Sequence, residues 1–254
     1  MNNGQPPILS IITVVFNGAA TIQRAIDSVL AHDSPEVEYI IIDGASTDGT
    51  VDIIERNRSR LAHFVSEPDG GIYPAWNKGL RAARGRWIAF LGADDWYVQG
   101  GIAAYLDAIA RAGERTELIS SRVRYHAAFS APFEIGKCWA WPAFQRHMTV
   151  AHVGAVHRKS LFDRLGTFDE SYRICGDYEL LLRARNSLIA EFFPLVTAEM
   201  SGGGVSNNQL QRTYDESCRA KHEAGGRPLW RCKSERAWDH FRARVKRRLP
   251  SIAK

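Results

Sequence analysis

Asp94 and Asp95 stand side by side at the end of an apolar run, in the stretch RWIAFLGADDW from Arg86 to Trp96. Adjacent carboxylates repel, and unless a cation binds beside them one tends to keep its proton. Hard divalent ions such as Mg2+ or Mn2+ take oxygen ligands, commonly one or two carboxylates together with the phosphates of a substrate. The pair therefore reads as a metal site that fills only when a phosphate is present, although Asp-Asp before Trp96 would also make an ordinary turn and helix cap. Asp43 leaves a second apolar run, VEYIIID, directly. In the following DGASTDGT, Ser46, Thr47 and Asp48 can cap the next helix, and Asp48 reads as a plain N-cap. A dinucleotide loop of the form G-x-G-x-x-G and a P-loop ending in Gly-Lys-Ser/Thr are both absent. No Ser-His-Asp or Cys-His arrangement stands out, which suits chemistry that needs no enzyme nucleophile.

The elements that must position these carboxylates alternate between two periodicities. ILSIITVVF is a short β-branched run of the kind buried in parallel sheets, and TIQRAIDSVLA places Ile22, Ile26, Val29 and Leu30 on one helical face. The pattern repeats as VEYIIID then DGTVDIIERNRS, LAHFVSEP then IYPAWNKGLRAAR, and RWIAFLGADD then GGIAAYLDAIARA. Four β-α units imply an α/β fold with a mostly parallel central sheet and helices on both faces. Ligands of such sheets bind beyond the carboxyl ends of the strands. Here those ends read Phe16-Asn17-Gly18, Asp43-Gly44-Ala45-Ser46, Glu67-Pro68-Asp69-Gly70-Gly71 and Gly92-Ala93-Asp94-Asp95. From about Glu117 the pattern is less regular: ELISSRVRYHA and LIAEFFPLVTAEM are strand-like, AVHRKSLFDRLG is strand into helix and CGDYELLLRARN is helical. The expected organisation is one Rossmann-like domain over residues 1–225, with a nucleotide-binding half of about 8–115 and an acceptor and catalytic half of about 116–225, followed by a basic helical extension over 226–254.

Composition bounds the class. The 254 residues are 45% hydrophobic and 24% charged, ordinary for a soluble globular chain. The start lacks the features of a signal peptide and ILSIITVVF is too short to span a bilayer, which points to a cytoplasmic protein. Cys138, Cys175, Cys218 and Cys232 show neither zinc-site nor disulfide spacing. The net charge of +5 is concentrated in RPLWRCKSERAWDHFRARVKRRL near the C-terminus, which speaks of surface docking.

Five segments in order, ILSIITVVFNGAATIQRAIDSVL, IIDGASTDGT, SEPDGGIYPAWNKGL, GRWIAFLGADD and HVGAVHRKSLFDRLGTFDESYRICGDYELLLR, resemble family 2 glycosyltransferases over about residues 8–200. The likeness is strongest to the branch that builds bacterial surface polysaccharides. It implies a GT-A fold and transfer of a sugar, with inversion, from a nucleotide diphosphate sugar to a hydroxyl of a glycan or lipid-linked acceptor. By the same resemblance Thr13, Asn17 and Asp43 line the nucleoside pocket, and Asp69 and Asn77 lie near the nucleotide and donor sugar. Asp94 adjoins the donor, Asp95 is the ligand of Mn2+ or Mg2+ on the diphosphate, and Asp177 is the general base. The sequence departs from the family pattern in three places. Gly44 stands where a second Asp is usual, Ala93 replaces the first Asp of D-x-D, and Gly176 replaces the Glu that precedes the base. The first leaves the nucleotide open, and the others predict weaker metal binding.

Further residues have two readings each. His152 contacts donor or acceptor, or is a packed core histidine. Trp139 and Trp141 alternate as on a strand edge and would stack on a sugar ring, or belong to the core. The loop SGGGVSNNQ, Ser201 to Gln209, closes over a site or is an ordinary loop. Trp238, Phe241, Val245 and Leu249 recur at helical spacing among Arg236, Arg242, Arg244, Lys246, Arg247 and Arg248, up to Pro250, where a helix would end. Such a helix lies on an anionic membrane surface, making the protein peripheral at the inner face, or packs on its own domain. The lost carboxylates leave a non-catalytic nucleotide-sugar or glycan-binding subunit as the alternative. A nucleotidyltransferase would carry a Gly-rich basic signature after the first strand, which is missing, and nucleic-acid binding is not expected.

Overall fold

The computed structural model describes residues 6–127, 130–204 and 209–248, with the side chains of 239 and 242–248 excepted. Nine strands among these residues join one sheet in the order β3-β2-β1-β4-β8-β6-β9-β5, with β7 paired to β6. They are β1 (Leu9–Val15), β2 (Val37–Asp43), β3 (His63–Ser66), β4 (Trp87–Gly92), β5 (Trp96–Tyr97), β6 (Leu118–His126), β7 (Phe133–Ile135), β8 (Ala155–Arg158) and β9 (Ala190–Ser201). The helices are α1 (Ile22–Leu30), α2 (Thr50–Glu55), α3 (Ile72–Ala82), α4 (Gly101–Arg111), α5 (Trp141–Phe144), α6 (Lys159–Leu165), α7 (Gly176–Ala184), α8 (Leu210–Glu223) and α9 (Leu229–Arg248).

The first half follows the β-α repeats. β1 pairs in parallel with both β2 and β4, and β2 with β3. β-branched residues fill these strands because both faces are covered. Ile12, Ile40, Ile42, Ile88 and Phe90 face the layer holding α3, α6, α7 and α8. Leu9, Ile11, Ile41, Ala89 and Leu91 face the layer holding α1 and α4. Alternate residues of one strand thus serve two cores, as the pleat requires. In α1 the buried stripe is Ile22, Ala25, Ile26 and Val29, with Leu30 only half-buried.

Beyond β4 the sheet becomes mixed, so the parallel expectation holds for four adjacent strands and not for the whole. β8 runs antiparallel to both β4 and β6, while β6 and β9 pair in parallel and β5 runs antiparallel to β9. Because β8 is reversed between them, β4 and β6 point the same way. The carboxyl ends of β1, β2, β3, β4, β6 and β9 therefore share one rim, and β6 and β9 deliver His126 and Ser201 opposite each other there.

The inner face of α9 packs on α8 and on the turn between them, and α8 in turn lies against the segment before α7. Cys232 is buried, Glu235 pairs with Lys221 and with Arg227, Arg236 reaches Asp215 at 3.0 Å, and the His240 ring meets the edge of Tyr214. No helix among the described residues is long and apolar enough to cross a membrane. Leu249 and Pro250 of the anticipated apolar stripe lie outside the described residues, as does the Val245 side chain.

Candidate active site

The rim is built by turns that hydrogen-bond to one another. After β1 the chain turns at Asn17, which adopts φ 50°. Its amide donates to Ser46 Oγ at 2.7 Å, and its side-chain oxygen accepts from Thr47 N at 2.9 Å. The N-cap of α2 is Gly49 and not Asp48, which stands one residue earlier and ties the turns together instead. One oxygen accepts from Thr50 N and Oγ, and the other accepts from Ala19 N at 3.0 Å, joining the two loops. Those bonds hold its carboxyl below the usual carboxylate range. Asp43 is fully buried at the tip of β2, where Ser46 N and the hydroxyls of Ser46 and Ser66 donate to it. Ala45 takes φ 63°, a left-handed conformation that strains any residue with a Cβ.

Asp69 closes this corner. Its Oδ1 accepts from Gly71 N at 2.8 Å, and a Cβ on Gly44 would lie 3.0 Å from its Oδ2. The carboxylate of Asp69 thus fills space beside the position where a second strand-two acid is missing. Phe16, one of the strand-end residues, is 67% exposed, with its ring beside Gly44. An exposed aromatic plane next to two carboxylates can stack a planar base. The signal for it in the sequence is a bulky aromatic at a strand end whose neighbours are all turn formers.

Asp94 and Asp95 form the second corner. Both carboxylates turn toward the α-carbon of Gly92, where a Cβ would lie 2.5 Å from Asp95 Oδ2 and 3.1 Å from Asp94 Oδ1. Asp95 Oδ1 accepts from Ser201 N at 2.8 Å. Burial, then repulsion by Asp94, pushes the Asp95 carboxyl up to about 7. Glycine at 92 leaves a cradle between two crowded oxygens that a small cation would relieve, so the donor set fits a hard divalent ion. No group of three or more metal-ligating side chains occurs among the described residues, so phosphate and water oxygens would complete the shell.

Cationic and aromatic groups surround this corner that the sequence reading did not single out. The Arg24 guanidinium lies 3.5 Å from the Trp96 ring centre and donates to Asp94 O at 2.9 Å. Trp96 pairs with Glu199 across β5 and β9, and buried Glu199 accepts from Arg124 and binds His126 Nε2 at 2.6 Å. These residues come from four separated segments, which the parallel β6–β9 pairing, the antiparallel β5–β9 pairing and the Arg24 contacts bring together at the rim. Ser201 is also the start of the glycine loop, of which residues 205–208 lie outside the described residues.

Asp177 forms a third position, at the first turn of α7. Its Oδ1 accepts from Tyr178 N at 2.8 Å and lies 3.3 Å from the Tyr73 hydroxyl. Burial raises its carboxyl to about 6 against these hydrogen bonds. Tyr73 sits at the start of α3, immediately after the Asp69-Gly70-Gly71 turn, which connects Asp177 to the first corner. The Arg173 guanidinium lies against Gly71 from the other side.

Three expectations are corrected, and His152 takes one of its two readings. Thr13 is fully buried within the sheet, where its hydroxyl accepts from Tyr39 at 3.0 Å, so it supports the rim from below. Asn77 is buried with its amide fully engaged: it donates to Phe168 O and Glu170 Oε1, each at 2.9 Å, and accepts from Phe168 N at 3.0 Å. It braces α3 to the segment before α7 and does not face a donor sugar. His152 is the packed alternative, stacked on Phe90 and tilted against Trp76, with both ring nitrogens buried and burial pushing its pKa to about 3. Trp139 and Trp141 do not alternate on a strand edge, because Pro142 helps to initiate the short helix α5 at Trp141. Their rings pack against the core, Trp139 lying 4.3 Å from the Phe144 ring and Phe144 lying 5.1 Å from Tyr178, the neighbour of Asp177.

The parallel β-α half, the mixed extension and a rim carrying a paired-carboxylate corner define a GT-A type fold. This chain has a TM-score of 0.69 to a mannosyltransferase from Pyrobaculum calidifontis solved with GDP-Man and Mn2+, at 17% identity, covering 99% of this chain and 77% of that one. To Staphylococcus aureus TarS 1-349 solved with UDP-GlcNAc, the TM-score is 0.67 at 17% identity, covering 92% and 72%. Residues 10–146 match the family model described as glycosyl transferase family 2. The chain is 27% identical over 214 residues to a PGL/p-HBAD biosynthesis glycosyltransferase of Mycobacterium bovis, covering 82% of each. It is 40% identical over 92 residues to a putative teichuronic acid biosynthesis glycosyltransferase of Bacillus subtilis, covering 35% of this chain and 36% of that one. The chain belongs to glycosyl transferase family 2.

Proposed function

We propose that this chain is an inverting, metal-dependent glycosyltransferase that moves a sugar from a nucleotide diphosphate sugar to a hydroxyl of a glycan or lipid-linked acceptor. The reading rests on the division of the rim into a paired-carboxylate corner at Asp94 and Asp95 and a separate carboxylate, Asp177, at the start of α7. Phe16 offers a plane for the nucleobase beside Asp43 and Asp69, and Arg24 bears on the diphosphate side from beneath Asp94. A divalent ion shared by Asp95 and the diphosphate would stabilise the charge that develops on the leaving group. Asp177, ionised above about pH 6, accepts the proton of the acceptor hydroxyl as that oxygen attacks the anomeric carbon. Direct displacement inverts the anomeric configuration and needs no covalent intermediate. The relatives solved with UDP-GlcNAc and GDP-Man make UDP and GDP sugars the first donors to try.

Stereochemistry tests the reading directly. With an α-linked donor and an acceptor, proton NMR of the product should show a β-glycosidic anomeric signal, and an α-linked product would refute single displacement.

We also place the protein peripherally at the inner face of the membrane. Residues 226–254 carry ten Lys and Arg against two Asp and Glu. On α9, Trp230, Trp238 and Phe241 are exposed on the side opposite Cys232, at positions within an arc of about 80° on a helix of 3.6 residues per turn. An aromatic ridge flanked by Arg231 and Lys233 and continued by a basic run suits an anionic lipid surface. Cosedimentation with phosphatidylglycerol vesicles should fall at least severalfold when Trp230, Trp238 and Phe241 are all changed to Ser, with transfer to a soluble acceptor retained. Equal sedimentation of both proteins would remove the membrane assignment.

A further inference from the structure

Gly176 stands where relatives of the resemblance carry Glu, and the structure gives a steric reason. A Cβ at 176 would lie 2.8 Å from the Tyr73 ring, so a side chain there and Tyr73 in its present place exclude one another. A different carboxylate reaches this region, from an element distant in sequence. Glu216 of α8 accepts from Arg173 N at 3.1 Å, Ile174 N at 2.8 Å and Cys175 N at 3.0 Å, the three amides that lead into α7. Arg219, one turn further along α8, holds the same segment from the other end, donating to Ser171 Oγ at 2.6 Å and Asp169 Oδ2 at 3.3 Å. From the opposite side the Tyr73 hydroxyl, which has one proton, lies 2.6 Å from Ile174 O and 3.3 Å from Asp177 Oδ1. The loop into α7 is therefore clamped between α3 and α8 at both its amides and a carbonyl.

We propose that Tyr73 and Glu216 are positioning residues for the Asp177 carboxylate, with Glu216 supplying from α8 the acid that position 176 lacks. The proposal rests on the reading of Asp177 as base. Three consecutive amides directed at one carboxylate form a stiff, charge-assisted joint, and it sits two residues before the reacting group. Misplacement of a catalytic group by about 1 Å can cost roughly 100-fold in rate, so a joint at this position has leverage on turnover.

The two residues act on Asp177 with opposite sign, which separates positioning from mere support. The negative charge of Glu216 disfavours ionisation of Asp177, and the Tyr73 hydroxyl favours it. Other titratable or charged groups in this region are Cys175 on the same turn, Lys221 on α8 and the Arg173 guanidinium against Gly71. Burial keeps the Cys175 thiol and the Tyr73 phenol protonated well beyond neutral pH, so neither changes charge across the Asp177 titration.

The test is the pH dependence of kcat and of KM for Tyr73→Phe, Glu216→Gln and Asp177→Asn in the full chain, with melting temperature as a folding control. Glu216→Gln should move the acid limb of kcat to lower pH, and Tyr73→Phe should move it to higher pH. Each should lower kcat by about tenfold with donor KM little changed. Glu216→Asp serves as a second variant should the Gln form fail to fold, and should restore more of kcat than Glu216→Ala. Acid limbs that superimpose on the native one, or that move in the same direction, would overturn the proposal. Asp177→Asn with native kcat would instead remove the base assignment itself, whatever the other two variants do.

Discussion

Asp177→Asn should bind donor as the native chain does and transfer sugar at least about 10^2-fold more slowly, the scale of general-base catalysis. Asparagine is nearly isosteric and can still accept from Tyr178 N, so the turn at the start of α7 is retained. What it cannot do is take the acceptor's proton. The pH profile of the native enzyme carries the same information. The Asp177 carboxyl is raised to about 6 by burial, and only its ionised form is a base. The rate should therefore climb with pH through about 6 and level above it, and any residual rate of the Asn variant should lack that limb. Steady-state kinetics with separate donor-binding measurements check both parts, and equal loss of donor binding and transfer would count against this role.

Asp95→Asn should separate stability from function. The folded-state pKa of Asp95, about 7, lies above its unfolded value near 3.8, so the folded protein binds this proton more tightly than the unfolded chain does. The stability associated with that proton is fully present below about pH 4 and is lost as pH rises through about 7. Asparagine removes the titration, so without ligands the variant should equal the native chain at pH 4. At pH 8 it should be more stable, on the order of 2–4 kcal/mol. Adding Mn2+ and a suitable nucleotide sugar should reverse the order, because only the native chain gains by mass action from binding them. Thermal unfolding across pH, with and without ligands, reads both effects. A variant less stable than native at pH 8 without ligands would show that the Asp94–Asp95 corner is not the strained element described here.

The four β-α units were legible because buried parallel strands demand β-branched runs and their helices an apolar stripe. The rim position of Asp43, Asp69 and Asp95 followed, since polar residues at strand ends can go nowhere else. The direction of β8 was not legible, because a four-residue strand reads the same in either sense. Its reversal is what lets β6 and β9 bring His126, Glu199 and Ser201 to Asp95. Thr13 and Asn77 show the complementary failure, and His152 stayed open between two readings for the same reason. A polar residue at a strand end or early in a helix carries the same letter whether it meets a ligand or braces a core. Only the engaged amide of Asn77 and the aromatic cage of His152 tell the two apart. Glu216 was invisible for another reason: α8 is strongly polar, and one acid among many on such a helix reads as solvent-facing until the loop into α7 is laid against it.

In the proposed mechanism the Asp94–Asp95 corner binds a donor diphosphate through a divalent ion. The most direct measurement is a thermal-shift panel of UDP, GDP, dTDP and CMP, each with and without Mn2+, on the native chain and on Asp95→Ala. The melting temperature should rise selectively with one nucleoside diphosphate, only with Mn2+ present, and not in the variant. A shift of equal size in Asp95→Ala, or one independent of the metal, would contradict that mechanism.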